Sequence, residues 1–231
     1  FVKKIGHGTA IYSLPLDSGA AAIRLSYETD PRNPVFSVDG SLVVYTARDM
    51  FGSKNLYTIQ PDGSAYKKVT SFNDPADAVV PVGITTLEPS ILYVMPSQTI
   101  KNQFEIWSIN LDGSSDQFLT VCTLEADDRP RISPNGEKVL YQRDHNLWIM
   151  NIDGSEQVRL TDLPSGHLAY HGQYSPSGSH IVYIHRMGNW GAESFIEWVR
   201  PNGQDFSRLS ERHNIVLSDN EIQPNNNFRF W

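Results

Sequence analysis

A glycine followed seven residues later by threonine or serine recurs five times, at Gly19/Ser26, Gly63/Thr70, Gly113/Thr120, Gly154/Thr161 and Gly203/Ser210. Asp62, Asp112, Asp153 and Asn202 stand immediately before four of those glycines, and Asp17 lies two before Gly19. Asp-Gly and Asn-Gly are turn dipeptides because they tolerate the positive φ that tight connections demand. The turns fall 41 to 50 residues apart. That period is too long for a hairpin and suits a four-stranded unit repeated along the chain.

The clearest copy runs from Arg131 to Asp162. Ser133-Pro134-Asn135-Gly136 makes a first turn, Val139-Leu140-Tyr141 follows, and a polar break at Arg143 to Asn146 precedes Leu147-Trp148-Ile149-Met150. Asp153-Gly154 then turns into a short strand ending at Leu160-Thr161. Short apolar runs bounded by turn signals read as antiparallel strands, and helical periodicity is hard to find anywhere. Residues 36–70 and 174–210 repeat the unit, 84–120 is a degenerate copy, and 12–26 holds only its second half. Ile222 to Trp231 fits the first half, matching in length Phe36 to Tyr45, Ile132 to Tyr141 and Tyr174 to Tyr183.

The expectation is one all-β domain over 1–231, a β-propeller of five four-stranded blades. Their spans are 219–231 with 1–29, then 30–71, 72–121, 122–162 and 163–218. A composite blade, with C-terminal inner strands and N-terminal outer strands, closes the ring and removes exposed edges. Closure in five blades is preferred over a fragment of a larger propeller, which needs further repeats.

The repeated Ser-Pro-x-Gly, Leu-Trp-x-Met-Asn-x-Asp-Gly and Leu-Thr elements resemble the TolB-type (WD-type) propeller repeat, found also in the propeller domains of prolyl-oligopeptidase-type peptidases. The resemblance covers essentially the whole chain and implies a propeller fold, although five blades depart from the usual six. It also implies an exported protein, periplasmic or extracellular. It does not imply one activity, because propellers host binding, scaffolding and catalysis on the same frame.

The formal net charge of −7 speaks against nucleic acid as the main partner, since phosphate neutralisation needs a basic face. The single cysteine, Cys122, excludes an intramolecular disulfide framework and a Cys-rich zinc site. No apolar run approaches the roughly 18–20 residues of a membrane span. The sequence contains no Gly-x-Ser-x-Gly, P-loop, dinucleotide or His-Glu-x-x-His motif.

Once-per-blade aromatics read as core: Tyr12, Tyr57, Trp107 and Trp148 in third strands; Tyr45, Tyr93, Tyr141, Tyr183 and Trp231 in second strands. Glu197 takes the third-strand position in its own copy, and a local bulge turning it outward and Trp198 inward is the preferred explanation. Matched positions of the first strands carry Asn33, Arg129, His171 and Asp219, then Arg131, Gln173 and Glu221. They define a candidate polar channel for an ion, a sugar or a peptide terminus, or else a ring of neutralising pairs such as Arg131 with Glu221. Trp190, between Asn189 and Gly191 in a long loop, is a candidate surface contact for a partner. Glu125-Ala126-Asp127-Asp128 supplies hard oxygens suited to calcium, but is more simply a solvated acidic loop.

Histidines gather in the last full copy, at His167, His171, His180 and His185. His171-Gly172-Gln173-Tyr174-Ser175-Pro176, with His185 beyond, is similar to a stretch of oligogalacturonate lyases, TolB-related propellers that hold a divalent metal with His and Gln. That resemblance implies His167, His171, Gln173 and His185 as ligands of manganese or calcium, and a base that removes a proton beside a uronate carboxylate. The preferred reading is a non-catalytic, cofactor-free monomeric module for protein or glycan ligands. The alternative is a metal-dependent polysaccharide-active enzyme, a lyase before a hydrolase; a third is a purely structural domain of a larger secreted or surface protein.

Overall fold

The computed structural model describes residues 1–6, 8–16, 19–73, 79–85, 89–124, 128–188 and 192–209. These residues form nineteen strands and no helix. They divide into two compact units, Phe1–Thr120 and Val121–Trp231.

The first unit contains three sheets. One is three-stranded: β1 (Val2–Ile5), β2 (Gly8–Ser13) and β3 (Ile23–Arg24). The second comprises β4 (Thr29–Phe36), β5 (Val43–Arg48), β6 (Lys54–Ile59) and β7 (Lys67–Lys68). The third comprises β8 (Val80–Ile84), β9 (Ser90–Pro96), β10 (Phe104–Asn110) and β11 (Gln117–Cys122), the last running two residues past the unit boundary. In the second unit, β12 (Arg131–Ile132), β13 (Lys138–Arg143), β14 (Asn146–Asn151) and β15 (Val158–Arg159) form one sheet. The other holds β16 (His167–Tyr174), β17 (Ile181–Met187), β18 (Ser194–Val199) and β19 (Phe206–Arg208). Strands neighbour one another in chain order, which gives the antiparallel meander that the repeat predicts.

The register places the expected pairs opposite each other: Tyr45 with Tyr57, Tyr93 with Trp107, Tyr141 with Trp148 and Tyr183 with Glu197. Side chains alternate between faces, and both faces of a sheet are covered. Along β5, Val43, Tyr45 and Ala47 pack with Ile11 and Leu25 of the first sheet, while Val44 packs with Ile84, Ile91 and Tyr93 of the third. In the second unit Leu140, Leu147, Ile149 and Leu160 pack with Ala169, Ile181, Tyr183 and Val199. This is why the second strands read as unbroken apolar runs. Each such side chain stabilises the fold by about 1.5–3 kcal/mol.

The Leu-Thr pair has a structural duty. Thr161 accepts from the Leu147 amide at 3.0 Å and donates to Asn146 Oδ1 at 3.0 Å, and that oxygen also takes the Leu163 amide. Thr70, Leu56, Asn55 and Phe72 repeat the same latch.

Two sequence expectations change here. Phe1 sits across from Tyr12, taking its amide at 2.9 Å and stacking on its ring at 5.6 Å. The N-terminal segment therefore supplies three strands rather than two, and Phe1 fills the position that the repeat assigned to Trp231. Residues 210–231, with Asp219 and Glu221, lie outside the described residues. Second, β17 and β18 pair without a bulge, and Glu197 is only 7% exposed. It points inward because donors await it there; Trp198, half-buried, packs edge-on against His180 at 4.7 Å.

Candidate functional site

Three of the first strands are irregular. Pairing of β4, β8 and β16 with their neighbours shifts register, between Thr29 and Val35, Pro81 and Gly83, and Tyr170 and Gln173. In β16 the irregularity is dictated by two residues. His171 adopts φ 54°, and a Cβ on Gly172 would lie 2.9 Å from Leu140 Cδ2. Bulges leave backbone donors outside the ladder, and a carboxylate takes them. Asp128 Oδ2 accepts from the His171 amide at 2.6 Å, and the Gly172 amide bonds the same carboxylate.

Asp128 is 5% exposed. Burial raises its carboxyl to about 6, against the opposing influence of Arg131 and the two amides. It is thus a buried anchor and not part of a solvated acidic loop; Glu125 and Asp127 lie outside the described residues. Above it the His171 imidazole stands with Nδ1 3.9 Å from Asp128 Oδ1 and its ring 4.9 Å from that of Tyr170. Arg131 Nε and Nη2 both lie 3.1 Å from the Gln173 amide oxygen in the amide orientation that satisfies both groups. Arg131 Nη1 also donates to the Arg129 carbonyl at 2.9 Å. Arg131, His171 and Gln173, with the Arg129 carbonyl, therefore gather candidate channel residues on one polar face of the second unit. A guanidinium, an imidazole and an amide side by side suit an oxygen-rich ligand. Asn33 lies in β4 of the first unit with φ 52°. Trp190 falls outside the described residues.

The candidate metal quartet divides. His167 Nδ1 faces His185 Nε2 at 2.9 Å, and His185 Nδ1 faces Glu197 Oε2 at 3.1 Å. Both ring nitrogens of His185 are thus engaged, while His171 turns to Asp128 and Gln173 to Arg131, whose positive charge disfavours a cation beside it. These four residues do not fit a shared metal as they stand. Among the described residues no group of three or more His, Cys, Asp or Glu is arranged to hold one.

Sequence reasoning missed the role of Glu197 and Tyr183. Glu197 Oε2 accepts from Tyr183 at 2.9 Å, and Oε1 from Arg208 Nε and Nη2 at 3.2 Å each. Burial pushes the Glu197 carboxyl up, but His185, Tyr183 and Arg208 outweigh it and hold it below the usual carboxylate range. A signal was present: each second-strand tyrosine needs an acceptor for its buried hydroxyl. Glu28, Asp116 and Gln157 serve Tyr45, Tyr93 and Tyr141.

No family model matches the chain, and no curated protein matches it. Solved structures do. A putative TolB from Agrobacterium tumefaciens is 20% identical with a TM-score of 0.62, over 87% of this chain and 73% of that one. TolB from Acinetobacter baumannii is 16% identical with a TM-score of 0.59, over 87% of this chain and 49% of that one. The chain thus spans about half the length of the Acinetobacter protein. A chain of a Nidogen/Laminin complex is 13% identical with a TM-score of 0.53, over 88% of this chain and 75% of that one. The fold is that of a TolB-like β-propeller. At these identities the likeness extends to the fold and no further.

Proposed function

We propose that the protein is a non-catalytic, cofactor-free β-propeller binding module, taking a protein or glycan ligand on the face formed by Arg129, Arg131, His171 and Gln173. The observation that carries this reading is the pairing of Arg131 with Gln173 beside His171, whose backbone amide is held by the buried Asp128. Such a face offers fixed donors at little ordering cost. The Nidogen/Laminin complex, a protein–protein assembly with a chain of similar fold, supports the protein-binding side of it. A periplasmic or extracellular setting and completion of the first sheet by residues 219–231 belong to the same proposal.

The test is an array of acidic oligosaccharides and peptides, probed with wild type, Arg131→Ala and Gln173→Ala. Ligands bound by wild type should weaken about tenfold or more in Arg131→Ala, the scale of a lost charged anchor. Equal binding by wild type and Arg131→Ala overturns the assigned face. Stoichiometric manganese or calcium on the purified protein, lost in His171→Ala and accompanied by cleavage of polyuronate, overturns the non-catalytic reading in favour of a metal-dependent lyase.

A further inference from the structure

At the seam of the first and second sheets two large aromatic side chains stand in water, and one carboxylate takes the backbone amide of the first and the hydroxyl of the second. Tyr27 is 75% exposed and Tyr66 52%. Glu28 Oε2 accepts from the Tyr27 amide at 3.1 Å and from the buried Tyr45 hydroxyl at 3.0 Å. The Tyr66 hydroxyl bonds the same carboxyl group, and burial together with that bond pushes the hydroxyl up, keeping it a donor. Its ring stacks on Tyr57 at 5.9 Å, and Tyr57 on Tyr45 at 5.6 Å. The exposed ring is therefore the outer end of a three-ring column whose other members are buried, which fixes its orientation. Arg24 lies 4.6 Å over the Tyr27 ring while its Nε donates to the Ser26 carbonyl at 2.8 Å. One face of that ring carries the guanidinium, and the other is open to solvent.

We propose that Tyr27, Tyr66, Glu28 and Arg24 form a binding site for a neutral pyranose unit of a glycan. The C–H face of a pyranose is apolar and stacks on an oriented tyrosine ring, while its ring of hydroxyls needs acceptors and donors at the edge. Glu28 supplies the acceptor and Arg24 the donor. The same chemistry argues against the neighbouring ligand classes. A quaternary ammonium, the other habitual guest of exposed tyrosines, meets Arg24 as well as Glu28, and a uronate carboxylate meets Glu28 as well as Arg24, so neither ion gains from a net charge at the site. This site lies in the first unit and shares no residue with the polar face around Arg131, so the two proposals fail independently.

The test uses the full chain with maltotriose, cellotriose and triacetylchitotriose as probes, followed by saturation-transfer NMR and calorimetry. At least one should bind, with saturation transferred from tyrosine ring protons. Tyr27→Ala should weaken it about tenfold or more and Tyr27→Phe by less than about threefold, since the ring and not the hydroxyl carries the contact. The Tyr27 side chain is exposed, so these variants should keep the wild-type circular dichroism and melting temperature. Binding of none of the three sugars, equal binding in Tyr27→Ala, preference for choline, or loss in Arg131→Ala without loss in Tyr27→Ala would each overturn the proposal. The last outcome would instead move the glycan to the Arg131 face.

Discussion

Asp128 is held in place by amides 43 residues away in sequence, and its burial has a pH consequence with a definite sign. An unfolded aspartate titrates near 3.9, whereas the folded group is raised to about 6. Protons therefore bind the folded state more tightly, and the contribution to stability is fully present below about pH 4. It is lost as pH rises through about 6, amounting to roughly 3 kcal/mol for a shift of this size. Asp128→Asn keeps an oxygen for the His171 and Gly172 amides but does not titrate. Urea unfolding at pH 4, 5, 6 and 7 should show the variant gaining on wild type between pH 4 and 6 and levelling off above that; parallel curves would show that the folded carboxyl is not raised. Nothing local in Glu125-Ala126-Asp127-Asp128 marks the last residue as the buried one, because the amides it meets exist only once β16 bulges. Glu197 was legible as an exception in the repeat, but its direction was not. Outward rotation is the economical guess for a lone carboxylate, and it fails because His185, Tyr183 and Arg208 converge on it from two other strands. Side-chain positions decided by distant partners are the part of the site that spacing does not encode.

Turns, by contrast, are encoded locally, and the elements follow the sequence closely. In Asp62-Gly63-Ser64, Asp112-Gly113-Ser114 and Asp153-Gly154-Ser155, the aspartate Oδ1 accepts from the serine amide at 2.8–2.9 Å and from its hydroxyl at 2.5–2.6 Å. The serine bonds hold the Asp62, Asp112 and Asp153 carboxyls below their ordinary range. The glycine has a second constraint that the turn type alone does not reveal. Gly113 has φ 90°, and a Cβ there would lie 2.5 Å from the Val69 carbonyl oxygen of the preceding sheet. Gly40 also has positive φ, 73°, but a Cβ would meet nothing within 4 Å. Both alanine variants incur the conformational penalty, about 1–3 kcal/mol. Only Gly113→Ala must also displace backbone between sheets. Denaturant unfolding should therefore place Gly113→Ala well below Gly40→Ala, by about 1–3 kcal/mol more on the scale of overpacking. Equal losses would mean that the glycines are there for the turn alone. The Leu-Thr pair was legible as a repeat mark, yet its reason, the Thr–Asn latch on the third strand, emerges only from the folded hydrogen bonds.

For the whole molecule, the repeat in the sequence and the succession of sheets agree, and the first sheet is where a further strand has room. β1 is exposed along its length and has β2 as its only neighbour among the described residues, and a long unpaired edge is a template for another strand. Phe1 already occupies the place opposite Tyr12, so there is room for one strand beside β1, in place of the two that the repeat suggested. If residues 219–231 fill that place, Lys4→Cys paired in turn with Gln223→Cys, Asn225→Cys or Asn227→Cys should yield an intramolecular disulfide in at least one combination. Cys122 does not compete, being buried with its thiol pushed up to about 12 by that burial. A bond closing a loop of this length stabilises a fold by up to about 4–5 kcal/mol where its geometry is unstrained, so the oxidised variant should melt well above its reduced form. Disulfide dimers in place of monomeric bonds would mean that the edge accepts a strand from a second copy. Failure of every pair to oxidise would remove the composite sheet and leave β1 as a true edge. The three results separate a ring that closes on itself from an array that ends, which the repeat count alone does not do.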